Sequence, residues 1–325
     1  MKRITIMLLL IINMLLLSAC GATQVNERIF VQMMGIEENN GICELTVQVY
    51  NVEASGGSKD QSKPEYKIIS GSGRSFYEAV GAISEESGKK PFFGHCTAVY
   101  ANEAVIRNKD TLRMLAGERI SIGCPVIYSE KPSRSVNVKD ENGDLTGADI
   151  ITARLDYLHK SGLSAETTLK NVTAAATNSR PIIIPMAEDE PVGTAIILSD
   201  GRTIQLDMSE TAVYNLLREE AGISLSVLGG SLSVDNAEKN VYYQTLDNKN
   251  GEYNITIKVE CTLKELGSSD ITDEYAAEAE KIISLSAEQI CRKALNDGFL
   301  ETITETGKPD TENISFRIYT NADIK

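Results

Sequence analysis

The sequence predicts an α+β protein, and three observations carry that prediction. Short apolar runs alternate with polar residues at a period of two between turn residues, as half-buried strands do. Helix starts are signalled by capping residues, Ser75 with Glu78 three positions on, and Asp207. The elements follow one another in a meandering order rather than as a repeating βαβ array, which favours antiparallel sheet with flanking helices.

Taken in order, Ile29–Ile36 and Cys43–Tyr50 read as a strand pair across the turn-rich Glu37–Gly41, with Leu45, Val47 and Val49 alternating. A Gly/Ser/Lys loop (Ala54–Lys63) precedes a short strand, Tyr66–Ile69. Gly71-Ser72-Gly73 reads as a flexible approach to the capped helix, in which Phe76, Val80 and Ile83 form one apolar stripe and which Gly88 ends. Pro91-Phe92-Phe93-Gly94-His95 leads into a strand through Tyr100, and a second helix covers 103–116. Lys131–Gly147 is polar and reads as a linker. Ile150, Ile151, Leu155 and Leu158 mark a further amphipathic helix, whereas 164–180 is rich in Thr, Ala and Asn with little periodicity. The apolar Pro181–Pro185 and the acidic Glu188-Asp189-Glu190 place the main boundary there.

Beyond it, Gly193–Leu198 and Arg202–Leu206 flank Asp200-Gly201, a strong hairpin signal. Asp207 caps a helix carrying Val213, Leu216 and Leu217. Strands are predicted at 223–234, 240–246 and 252–263, a long helix over 272–295, and a last strand at Ile314–Ile318. The expected divisions are residues 1–19, 20–130, 131–190 and 191–325.

Residues 1–19 read as a signal peptide of the bacterial lipoprotein type. Lys2 and Arg3 precede an apolar run, Ile4–Leu17, too short for a comfortable membrane span, and Ser18-Ala19 stand directly before Cys20. Cys20 is therefore the candidate lipidation site, acylated after cleavage at Ala19, and the protein is expected outside the cytoplasm and tethered to a membrane. Cleavage removes Lys2 and Arg3, leaving 306 residues with 30 cationic side chains against 46 acidic ones, a formal charge of −16. Such a body opposes nucleic-acid binding and is expected to stand off anionic lipid.

Catalytic signals are weak. The five remaining cysteines (43, 96, 124, 261 and 291) are odd in number and scattered, so they do not read as a disulfide framework, and two histidines without a C-x-x-C make zinc binding unexpected. His95 and Cys96 are adjacent, and neighbours on a strand face opposite ways, so they cannot form a nucleophile–base pair. His95 is expected in a turn with its ring bonded to the backbone. Gly81–Lys90 has Glu86 where a phosphate loop needs its second glycine. No enzyme activity, cofactor or metal site is expected.

Gly73-Arg74-Ser75-Phe76-Tyr77-Glu78-Ala79 followed by Pro91-Phe92-Phe93-Gly94-His95 resembles the Ger(x)C family of spore germination lipoproteins, as do Gly193-Thr194-Ala195-Ile196 and Asn296-Asp297-Gly298-Phe299 further on. Two features depart from the family pattern: Gly21-Ala22 replaces the usual Trp-Asp after the cysteine, and the segment 300–311 is shortened. The resemblance implies three small mixed α/β modules, each a largely antiparallel sheet with helices. It also implies the C subunit of a nutrient germinant receptor, partnered by a large and a transporter-like membrane subunit and held on the outer face of the spore inner membrane. Phe92, Phe93, Gly94 and His95 become candidate structural or interface residues. The alternative is a substrate-binding lipoprotein of a transporter, which would want repeated βαβ units and a hinge.

Overall fold

The first hairpin is made by β1 (Arg28–Asn39) and β2 (Ile42–Tyr50), paired antiparallel around Asn40-Gly41, both at positive φ (53° and 77°), the turn that Asn-Gly favours. The computed structural model describes residues 27–50, 66–138, 146–188, 191–219, 223–247, 249–265, 272–304, 309 and 313–324. The expected signal peptide, Cys20 and the expected Ala54–Lys63 loop lie outside the described residues.

β3 (Tyr66–Gly73) pairs antiparallel with β2 and runs four residues further than predicted. Gly71 and Gly73 belong to this strand and are not a flexible approach. A Cβ at Gly71 would lie 2.5 Å from the Ala79 carbonyl, so the glycines let α1 (Phe76–Ser87) lie close against the sheet. Ser75 Oγ accepts from the Glu78 N–H at 3.3 Å, and Gly88 closes the helix at φ 68°.

β4 (Lys90–Phe92) and β5 (Ala98–Ala101) both pair with β1 in parallel. The helix expected over 103–116 is two helices, α2 (Glu103–Arg107) and α3 (Lys109–Gly117). Asn108 ends the first and caps the second through Oδ1, which accepts from the Asp110 and Thr111 N–H groups. β6 (Val126–Tyr128) joins β5 in parallel. Inside the expected linker, α4 (Pro132–Ser135) is ordered and packs on β1; α5 (Gly147–Lys160) follows with a full capping box between Thr146 and Asp149. The aperiodic stretch contains α6 (Leu169–Thr177), capped by Thr168 and held by buried Leu169 and Val172.

β7 (Ile182–Ala187), β8 (Pro191–Ile197) and β9 (Thr203–Asp207) complete a nine-stranded sheet of order β3-β2-β1-β5-β6-β7-β8-β9, with β4 attached to β1. The expected divisions at 130/131 and 190/191 run through this sheet. Its centre is parallel, because α1 returns the chain from the β1–β3 meander to β4 and β5, and helices carry it from β5 to β6 and from β6 to β7; the flanks are antiparallel. One face buries Val31, Leu45, Val47, Phe76, Ile83, Leu112 and Leu169, and the other buries Met33, Tyr100, Ile127 and Ile151. The architecture is mixed α+β.

α7 (Met208–Leu217) leads to the second sheet. The strand predicted at 223–234 is a hairpin, β10 (Ile223–Val227) and β11 (Gly230–Thr245), turning at Leu228-Gly229 with φ 51° and 74°. β12 (Asn250–Glu265) pairs antiparallel with β11. The chain then returns through α8 (Thr272–Asp297) and α9 (Glu301–Thr304) to β13 (Asn313–Ile324), parallel to β12. Tyr253, Ile255, Ile257 and Val259 face Tyr275, Ala279, Ile283 and Ile290 of α8 in one core.

Candidate functional site

The start of β1 and the short β4 lie side by side, with Arg28 opposite Lys90 and Phe30 opposite Phe92. Alternation along each strand puts the cation and the aromatic two residues on upon the same face. The Arg28 guanidinium sits 5.2 Å above the Phe92 ring centroid, a cation–π contact. Phe92 meets Phe30 edge-on at 5.8 Å, and His95 packs against both rings at 5.6 and 5.7 Å.

The four candidate interface residues therefore separate. Phe93 is core, 1% exposed and packed against Phe76. Phe92 is half-buried, while Gly94 and His95 are exposed. Gly94 is needed where it is, since a Cβ there would lie 2.6 Å from the Phe92 ring. His95 occupies a turn as expected, but among the described residues its ring meets the two phenyl rings and no backbone hydrogen-bond partner. Edge-on packing between aromatic rings fixes its orientation instead.

A cleft of about 220 Å³ opens beside this cluster, lined by Arg28, Lys90, Pro91, Phe92, Phe93, Gly117, Glu118 and Arg119. Three cations face one carboxylate there. The sequence alone missed this grouping: the parallel β1–β4 pairing sets Arg28 beside Lys90, and the end of α3 brings in Arg119, ninety-one residues from Arg28. The visible part of the signal was Arg28 and Phe30 at strand spacing, and Lys90 two before Phe92.

Cys96 points inward, 5% exposed, with Sγ donating to the Ala98 carbonyl at 3.3 Å, away from exposed His95. Contact with the Cys124 thiol, and then burial, push the Cys96 thiol well up, the opposite of an activated nucleophile. His159 pairs with Glu166 at 3.1 Å. It borders a cleft of about 540 Å³ that shares Pro181, Ile183 and Arg218 with a second of about 580 Å³. Three cations along this groove are engaged within the protein: Lys160 with Asp156, Arg218 over the Tyr214 ring, Lys239 with the Ile303 carbonyl. Among the described residues, no group of three or more His, Cys, Asp or Glu could hold a metal, and no helix is long and apolar enough to cross a membrane.

Residues 21–189 match the family model of the spore germination protein N-terminal domain. No curated protein matches the chain. Among solved structures, the crystal structure of the GerBC protein is similar over 90% of this chain and 96% of that one, with 14% identity and a TM-score of 0.49.

Proposed function

Because the chain belongs to the spore germination protein family, whose N-terminal domain occupies residues 21–189, we propose that it is the lipid-anchored C subunit of a nutrient germinant receptor. It acts in receptor assembly and signalling, on the outer face of the spore inner membrane, beside the transporter-like and large membrane subunits. The observation that carries this reading is adjacency: the family domain begins at residue 21, directly after the cysteine of Leu17-Ser18-Ala19-Cys20. A cysteine in that position supplies the anchor, and two acyl chains are what stable attachment needs. The buried, proton-holding thiol of Cys96 supports a binding role rather than catalysis.

Replacing the anchor tests the reading. Cys20→Ala is expected to release the protein from spore membranes or block its maturation, and to abolish the nutrient response while circular dichroism of the body is unchanged. Full nutrient germination with an unlipidated chain would overturn it.

A further inference from the structure

We propose that the cleft formed by Arg28, Lys90, Phe92 and Arg119 is a docking face for an anionic bilayer surface, turned toward the membrane from which the chain emerges. The orientation rests on lipidation of Cys20; the affinity for the bilayer does not.

Charge is the first argument. The mature chain is formally −16, yet this concavity gathers three cations against Glu118, with Lys89 beside Lys90. A basic cluster on an acidic body is a local attraction that the net charge conceals, since surface charges act over about one Debye length, ~8 Å in physiological salt. The acidic composition predicts a body that stands off the bilayer; the distribution of charge supplies one face that does not.

The second argument is chemical. Half-buried Phe30 and Phe92 flank the cations with exposed His95, and apolar rings set beside Lys and Arg are what surfaces lying in the bilayer interface carry. Gly94 leaves room for the Phe92 ring at the surface. Reach is the third. Arg28 stands eight positions after Cys20, so the chain between them spans at most about 29 Å. An acylated Cys20 would hold this face at high effective concentration beside the headgroups, where even weak attraction orients the body.

The test uses the mature chain, residues 20–325, with Cys20→Ser and no lipid, sedimented with phosphatidylcholine vesicles or with mixed phosphatidylcholine–phosphatidylglycerol vesicles. Binding to the mixed vesicles alone, weakening with salt, is expected. The Lys90→Gln/Arg119→Gln double variant should lose about 25-fold in affinity, at about fivefold per cation near the surface. Lys160→Gln/Arg180→Gln, at the far groove, should change nothing. Because the chain has no tryptophan, Phe92→Trp gives a single reporter whose emission should shift to the blue only with anionic vesicles. Equal binding to both vesicle types, or equal binding by the wild type and the double variant, would overturn the proposal. So would a double variant that binds vesicles normally but no longer co-purifies with receptor membrane subunits, which would make the face a protein contact. Mass spectrometry of the native N-terminal peptide separates the two readings. Unacylated Cys20 with vesicle binding intact overturns the anchor alone; acylated Cys20 without vesicle binding overturns the docking face alone.

Discussion

Gln48 Oε1, on β2, accepts a hydrogen bond from the Ala148 N–H in the first turn of α5 at 3.2 Å, across one hundred residues of sequence. The Gln48 side chain is fully buried, and its Nε2 donates to the Val136 carbonyl at 3.4 Å. One amide thus satisfies an otherwise orphaned helix N-terminal donor and ties the second segment to the first hairpin. Gly147 makes the approach possible, since a Cβ there would lie 2.5 Å from the Val138 carbonyl and 2.7 Å from Gln48 Nε2. Gln48→Leu leaves both backbone groups buried without partners and is expected to cost about 1–3 kcal/mol. Urea unfolding checks this: a lower midpoint with unchanged slope is the expected outcome, and an unchanged midpoint would count against the contact.

The cap of α7 carries a pH dependence. Asp207 Oδ1 accepts from the Glu210 N–H at 2.8 Å, and Glu210 returns a bond to the Asp207 N–H while pairing with Lys293 of α8 at 2.7 Å. The Glu210 backbone bond first, and the Ser209 hydroxyl next, hold the Asp207 carboxyl below its ordinary value. A depressed folded pKa means the unfolded chain binds the proton more readily. The stabilisation is therefore complete above the unfolded value of about 3.9 and is lost as pH falls through the folded one. Asp207→Ala should cost about 1 kcal/mol at neutral pH, with the difference from wild type vanishing in acid. Thermal melts of both proteins across that range measure it.

Thiol reactivity offers a third check. Burial first, then the carboxylates of Glu38 and Glu44, push Cys43 up to about 11; burial takes Cys261 to about 11 and Cys291 to about 12. These three thiols and Cys96 stay protonated at pH 8, and buried Cys124 is shielded with them. A native chain carrying Cys20→Ser should show no rapid reaction with a thiol reagent, and five equivalents after denaturation. One fast thiol in the folded protein would contradict the core placement. Cys96→Ala should leave the nutrient response intact.

Asn215 bridges the two sheets. Fully buried on α7, its Nδ2 donates to the Gly162 carbonyl at 2.9 Å, where α5 ends at a left-handed glycine (φ 66°). Asn215→Leu removes that donor and should cost about 1–3 kcal/mol, with faster amide exchange around residues 162–165 than in β1 or β2. Uniform exchange changes across the chain would argue against a local bridge.

Local chemistry made much of this protein legible in one dimension. The Ser75 and Asp207 caps, the Asp200-Gly201 turn and the alternation from Ile255 to Cys261 each act within a few residues, and each stands where the sequence places it; the first turn, read as Glu37–Gly41, narrows to Asn40-Gly41 because β1 stays paired with β2 through Asn39. Elements held mainly by distant partners were not legible. α6 has little periodicity and forms because Thr168 caps it and the sheet buries Leu169 and Val172; the break at Asn108 answers to Glu38 on β1, whose carboxylate accepts from Asn108 and Thr111.

By itself, then, the sequence determined the α+β class, the capped helices and the tight turns, because those depend on backbone preferences and side chains a few positions apart. Tertiary structure alone decided that one sheet spans β3 to β9, that Phe93 is core while Phe92 is half-buried, and that Arg28, Lys90 and Arg119 share a cleft. Parallel pairing joins strands across long helical crossovers, and no local pattern records which strands those crossovers bring together.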